Sequence, residues 1–304
     1  MHAFADQQRR FYTHSFITHR QTMTTTTTEH TSSSSLSTEE GLRVNTALRF
    51  YHEILGLDNL HYGLWQNDPF TMEGLKVAQT RYTDHLISYF PESVKVVLDA
   101  GAGTGATSEK LKARGYDVEA LSPDPYQQYL FKKNRDVVFN LDRFQDFKPK
   151  KKYDLILMSE SCQYIPMDGL FANAKNCAPG GYLLINDYFI THPDNTAMSK
   201  SGHNMDVFYQ KAKDNNFELL KEEDITDQAA ISLDLAKDWV DRYVMPSIDL
   251  IAYSFGHKHP KLLNFLRWIM RKKVKKFNDD IMLLDSEHFK RVKRYKILLF
   301  KIPA

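Results

Sequence analysis

The chain has 304 residues, 42% hydrophobic and 26% charged, proportions that permit a buried core and suit one or two globular domains. No uncharged apolar run approaches the ~18 residues of a membrane span, and the two cysteines, Cys162 and Cys177, exclude a disulfide framework. Net charge is +2, yet between Lys258 and Lys301 14 Lys/Arg face four acids, a local +10 that leaves −8 elsewhere and points to an anionic partner.

Residues 1–37 hold a threonine run and a serine run with almost nothing to anchor a core, so a disordered tail is expected there. Arg9, Arg10 and Arg20 suit an organelle transit peptide, or else an extension upstream of a start at Met23. Ser37 and Glu40 have the spacing of a capping box, which predicts a helix running to an exit at Gly56. An aromatic segment, His61-Tyr62-Gly63-Leu64-Trp65, leads to a second helix over 71–89 that stops before Pro91. Residues 38–91 thus read as an N-terminal helical cover.

From 92 onward apolar strands alternate with helices. Strands are expected at 94–99, 117–121, 137–140, 153–158, 182–187 and 217–221, with helices at 107–114, 126–134, 169–176 and 206–215. That alternation predicts an α/β fold, a doubly wound and mostly parallel sheet covered on both faces. Residues 92–225 form its core and 295–304 its last strand. The intervening stretch, 226–294, is mostly helical and too long for a loop, so it reads as a helical lid insertion.

The sharpest signal is Leu98-Asp99-Ala100-Gly101-Ala102-Gly103-Thr104-Gly105, between the first strand and a helix. Glycines bend the backbone tightly and let a ligand approach without a Cβ in the way, and this turn falls where ligands bind open α/β sheets. Gly101, Gly103 and Ala106 also satisfy the dinucleotide fingerprint G-x-G-x-x-[GA], so the loop alone leaves NAD open as a ligand.

The string Val97-Leu98-Asp99-Ala100-Gly101-Ala102-Gly103-Thr104-Gly105 resembles motif I of class I S-adenosylmethionine-dependent methyltransferases, which carry an acid two positions before the first glycine. Tyr153-Asp154-Leu155-Ile156-Leu157 resembles that family's fourth strand, and Pro179-Gly180-Gly181 its entry to the fifth. The resemblance implies a Rossmann-like, seven-stranded sheet with S-adenosylmethionine as cofactor. It gives Asp99 the methionine amino end, with Ala100, Gly101, Gly103 and Thr104 forming the loop beside it. A finer resemblance is to the branch of cyclopropane fatty acid synthases and tocopherol and sterol methyltransferases, whose H-x-G-x-W element matches His61 to Trp65. By that likeness Tyr62 and Gly63 lie near the cofactor's carboxylate. Ser122 stands where most members place a ribose-binding acid, with Asp124 as a substitute. Gln145 and Asp146 are favoured over Asp142 on the adenine side, and Ser159 ends the fourth strand at the cofactor.

Methyl transfer is an in-line displacement, so the protein mainly aligns and desolvates, and a base is needed only for an acceptor that holds a proton. By the resemblance, residues 159–164 face the reacting methyl, and Glu160 and Tyr164 are the candidate catalytic residues, to deprotonate or polarise an acceptor or to stabilise a carbocation. Gln163 stands where many relatives carry His and cannot act as a base; His192 and His203 are substitutes for that role. No metal site is expected, because the twelve histidines lack i, i+4 ligand spacing.

Residues 260–276 place large apolar groups, Trp268 among them, beside Arg271-Lys272-Lys273 and Lys275-Lys276. Such a helix suits an interfacial membrane contact, a lid over a greasy pocket that holds an anionic head, or a packing helix with a solvated basic end. Nucleic acid is not expected, since no recognised nucleic-acid module accompanies the charge. The sequence therefore reads as an S-adenosylmethionine-dependent methyltransferase of a small, hydrophobic or lipid-like acceptor, such as an anionic-headed lipid or isoprenoid. A cytoplasmic setting with peripheral membrane contact is expected. The alternatives are a cofactor-binding protein without transferase activity, serving as a regulatory or membrane-associated partner, and an NAD-dependent oxidoreductase.

Overall fold

The computed structural model describes residues 46–134 and 136–304. The tail expected over 1–37 and the capping box at Ser37 and Glu40 lie outside the described residues. The first helix enters as α1, Thr46–Arg49, and widens into a turn over Phe50–Ile54 that closes with Leu55 N–H on the Phe50 carbonyl at 3.1 Å. Helix α2, Met72–Ile87, begins at Thr71, whose hydroxyl oxygen accepts the Gly74 N–H at 3.1 Å as an N-cap.

The alternating region runs β1 (Val96–Ala100), α3 (Ala106–Ala113), β2 (Asp117–Ser122), α4 (Pro125–Asn134), β3 (Val138–Leu141), β4 (Leu155–Ser159), α5 (Met167–Cys177) and β5 (Tyr182–Ile190). It continues through β6 (His203–Asn204), α6 (Met205–Asp214) and β7 (Glu218–Asp224). Helices α7 (Thr226–Trp239), α8 (Met245–Lys258), α9 (Pro260–Ile281) and α10 (Ser286–Val292) precede the last strand, β8 (Lys293–Lys301).

The strands are ordered β3-β2-β1-β4-β5-β8-β7, all parallel except β8, which runs against both its neighbours. This is the mostly parallel, Rossmann-like sheet the sequence predicts, with one addition. The two-residue β6 pairs with the end of β5, making eight strands where seven were expected, because a two-residue strand carries no readable periodicity.

Side-chain alternation divides the sheet's two faces cleanly. Val97, Leu155, Leu157, Leu184, Ile297 and Leu299 enter one core, while Leu98, Ile156, Met158, Leu183, Ile185, Leu298 and Phe300 enter the other. Strands buried on both faces are continuously apolar for this reason. The edge strand β7 is instead exposed and charged, with Glu218, Lys221, Glu222 and Glu223, which discourages edge-to-edge pairing. Chain order reverses between β1 and β4, and the carboxyl ends of these strands open a crevice.

Helix α7 packs on the sheet, with Ala229, Ala230 and Leu233 in the first core. Helices α8 and α9 form a hairpin joined at His259, whose N–H bonds the Phe255 carbonyl at 2.8 Å. No residue of α8 is buried, and Leu250, Ile251 and Tyr253 are exposed.

Candidate active site

The glycine loop leaves β1 in a conformation few side chains tolerate. Gly101 has φ +92°, and a Cβ there would sit 2.2 Å from the Ser161 Cβ. Gly103 has φ +58° but meets only Leu60 at 3.5 Å, so its requirement is conformational, and the space beside it stays open. Thr104 donates its hydroxyl to the Asp58 carbonyl, tying the segment before the second helix down onto the loop.

Asp99 is buried at the end of β1, with the Ser108 hydroxyl donating to its Oδ2 at 2.5 Å. Burial pushes its carboxyl up to about 6, an effect the Ser108 hydrogen bond only partly offsets. A cationic ligand group would restore its charge. Ser161 donates to the Ala100 carbonyl at 2.5 Å and pins the start of the loop to the turn after β4.

Glu160, just past β4, has φ +53°, an unusual backbone for a non-glycine residue. Its Oε1 accepts the Tyr62 N–H at 2.6 Å and the Tyr295 hydroxyl at 2.5 Å. Tyr82 reaches both the Tyr295 hydroxyl, at 3.2 Å, and the Ser159 hydroxyl, at 2.9 Å. Burial pushes the Glu160 carboxyl up to about 7, against the lowering effect of its two donors. Behind it, Asp187 accepts the Gln163 N–H at 3.0 Å and is pushed up to about 8 by burial and then by the Glu160 charge. The buried Glu160 charge thus adds to the burial that raises Asp187.

His61 is structural. Its ring stacks on Tyr82 at 3.9 Å and its Nδ1–H donates to the Tyr62 carbonyl at 2.8 Å, while burial lowers it to about 4 and keeps it neutral.

One cleft brings together most of the expected residues: Asp99, Ala100, Gly101, Gly103 and Thr104 from the loop, Ser122 from β2, and Tyr62 from the cover. Gln145 lines it from the turn after β3, and Ser159, Glu160 and Tyr164 from the end of β4. Two residues are not brought in. Gly63 turns away, its N–H on the Ser232 hydroxyl at 2.9 Å, and a Cβ there would meet Ala78 at 2.6 Å. Asp146 is exposed and paired with Arg143, while Asp142 and Arg143 line the cleft beside Gln145. The substitutes fare similarly: Asp124 accepts the Tyr126 N–H at 2.8 Å, His192 is exposed, and His203 bonds the Cys162 carbonyl at 3.0 Å. Among the described residues no three His, Cys, Asp or Glu side chains gather as a metal site.

Sequence reasoning missed Gln127. It lies on α4, is 4% exposed, lines the cleft beside Ser122, and its Oε1 has no hydrogen-bond partner. A buried amide oxygen without a partner is costly, so it calls for a ligand donor. Its spacing five residues after Ser122, past the turn at Pro123, was the available signal. Tyr295, in the last strand, carried no local signal at all.

These features fit S-adenosylmethionine: a carboxylate for its amino group, a bare-backbone turn that a Cβ would fill, and an orphaned acceptor on α4 beside Ser122. A family model for methyltransferase domains matches residues 76–228, half of the chain, and the chain belongs to that family. It is a methyltransferase of class I, the kind that uses S-adenosylmethionine.

Similar solved structures include the [4+2]-cyclase SpnF, at 15% identity and a TM-score of 0.64, covering 88% of this chain and 97% of that one. Geranyl diphosphate C-methyltransferase from Streptomyces coelicolor A3(2) matches at 14% identity and a TM-score of 0.58, over 88% of this chain and 98% of that one. The cyclopropane synthase MmaA2 from Mycobacterium tuberculosis matches at 16% identity and a TM-score of 0.56, over 80% and 90%. At such identities the likeness is one of fold. No curated protein matches the chain.

Proposed function

We propose that the chain transfers a methyl group to a small, hydrophobic or lipid-like acceptor in the cleft between β1 and β4. The observation that carries this reading is Glu160: it lines the cleft beside the glycine loop, with its Oε1 held by Tyr62 and Tyr295. When bound, S-adenosylmethionine supplies an activated methyl. Asp99 holds its amino group, Tyr62 its carboxylate end, Ser122 and Gln127 its ribose, and Gln145 its adenine side, with Ala100, Gly101, Gly103, Thr104 and Ser159 around it.

The remaining chemistry belongs to the protein. Glu160 takes a proton from the acceptor, or faces positive charge developing on it, and its raised pKa suits proton traffic near neutrality. Tyr164, half-buried at the cleft wall, orients the acceptor. Names among the similar structures support a small-molecule acceptor; one of them takes geranyl diphosphate.

The finer division of the chain is part of the proposal: a cover over 38–91, a core over 92–225 closed by 295–304, and a lid within 226–294. So is peripheral contact with an anionic membrane through 260–276. Supporting it, Leu262, Phe265, Trp268 and Ile269 are exposed on α9 beside its cationic run, and the Arg271 guanidinium lies 5.1 Å from the Trp268 ring.

The test is to incubate the protein with methyl-labelled S-adenosylmethionine and a metabolite extract, then partition the products. Label in the organic phase supports the proposal. Cofactor binding with no labelled product contradicts it and favours a non-transferring member, a reading to which the similarity to a cyclase gives weight.

A further inference from the structure

A second cavity, of about 360 Å³, lies under the cover and the base of the hairpin. Its walls come from the turn after α1 (Tyr51, Leu55), from α2 (Leu75), from α7 (Ala236, Trp239) and from the end of α9 (Phe277). The carboxylate on its lining, Asp280, stands beside Lys276 at 3.3 Å. Ser232, also on the lining, already receives the Gly63 N–H and the Trp65 indole N–H, both at 2.9 Å. Nothing in this wall asks for a polar ligand.

Tyr62 lines both this cavity and the cofactor cleft. The H-x-G-x-W segment is the partition: on one side Tyr62 N–H holds Glu160, on the other Gly63 and Trp65 hold Ser232. Tyr51, from the cavity wall, is buried and senses the Glu160 charge. Its hydroxyl is pushed up to about 12, first by burial and then by the Glu160 charge.

An apolar cavity of about 150 Å³ admits a benzene. A cavity more than twice that size has room for about a dozen carbons by the same measure.

We infer that this chamber holds the apolar chain of the methyl acceptor, with the reacting end directed past Tyr62, the residue shared by both linings, toward Glu160. The inference rests on the transferase reading and names its substrate class: molecules with an unbranched or isoprenoid chain of roughly this length. Chain-length selection then belongs to Ala236 and Trp239, which line the chamber and not the cofactor cleft.

The test uses the full chain and 11-(dansylamino)undecanoic acid, whose fluorescence rises in apolar surroundings, with and without S-adenosylhomocysteine. One probe is expected to bind per chain. Ala236→Trp, which fills the chamber, is expected to weaken the probe at least tenfold while S-adenosylhomocysteine binds as before. Trp239→Ala, which enlarges it, is expected to shift displacement by linear alkanols toward longer chains. Absence of probe binding, or unchanged affinity in Ala236→Trp, overturns the inference. Should Ala236→Trp fail to fold, an unchanged chain preference in Trp239→Ala overturns it equally. None of these readouts requires methyl transfer. A chain that binds the probe but labels no acceptor keeps the chamber and loses the transferase reading, and one that methylates while ignoring the probe does the reverse.

Discussion

Asp99, Glu160 and Asp187 are acids whose folded values, about 6, 7 and 8, lie above their ordinary ones because each is buried. Below the ordinary carboxyl range both states are protonated and the fold bears no cost. As pH rises toward 8 the unfolded chain ionises freely while the folded one resists, so stability is lost. The melting temperature is therefore expected to fall between pH 5 and pH 8, and Asp187→Asn to flatten that slope; a melting temperature that climbs over the same range contradicts these assignments. Asp68, held down to about 2 by Arg81, acts in the opposite sense, but only below about 4. Activity makes a second test. Glu160→Gln is expected to lower kcat by about 100-fold or more, the usual worth of a positioned base, and to remove an acid limb near pH 7. A pH–rate profile of Glu160→Gln that matches the parent would reassign the proton acceptor. Asp99 and Glu160 were legible because each stands at a fixed offset from a strand end. Gln127 and Tyr295 were missed, since the first offered only its spacing from Ser122 until the fold left its oxygen orphaned, and the second arrives from more than a hundred residues away.

Among the elements, the glycine loop is the most constrained. Gly101→Ala combines a disfavoured φ with a collision against Ser161, which predicts a loss of about 1–3 kcal/mol in stability and weaker cofactor binding. Wild-type melting and affinity in Gly101→Ala would mean that the loop is slack. The loop's composition announced it, whereas Gly63 misled, because the same absence of Cβ there serves packing against Ala78 on α2. The α8–α9 hairpin yields a different prediction. On vesicles containing phosphatidylserine the chain is expected to co-sediment at low salt. The combination of Trp268→Ala, Lys272→Glu and Lys273→Glu is expected to release it, each cationic side chain being worth about 1 kcal/mol near an anionic surface. Equal sedimentation of parent and variant, or of the parent on neutral vesicles, contradicts the interfacial role. Composition revealed the helix and its charge; its near-complete exposure depended on what the rest of the fold left uncovered, which no local pattern encodes.

At the scale of the molecule, the order of the sheet does the work of assembly. Reversal between β1 and β4 opens the crevice, β2 and α4 supply one wall, and the antiparallel β8 carries Tyr295 back to Glu160. The strands were readable because burial on both faces makes them continuously apolar between turns, and the parallel order because helices intervene. Strand β6 escaped for want of length, and the chamber beneath the cover escaped because it is bounded by several separate elements, none of which reveals a void by itself. Methyl transfer by this fold depends on the crevice accepting an S-adenosyl compound. Titration calorimetry with S-adenosylhomocysteine and, separately, with NAD measures this directly. The account predicts one S-adenosylhomocysteine per chain, no competing NAD, and binding about 10- to 100-fold weaker in Asp99→Asn, the worth of a charge-assisted hydrogen bond. Binding of NAD in its place, or none of either, contradicts it.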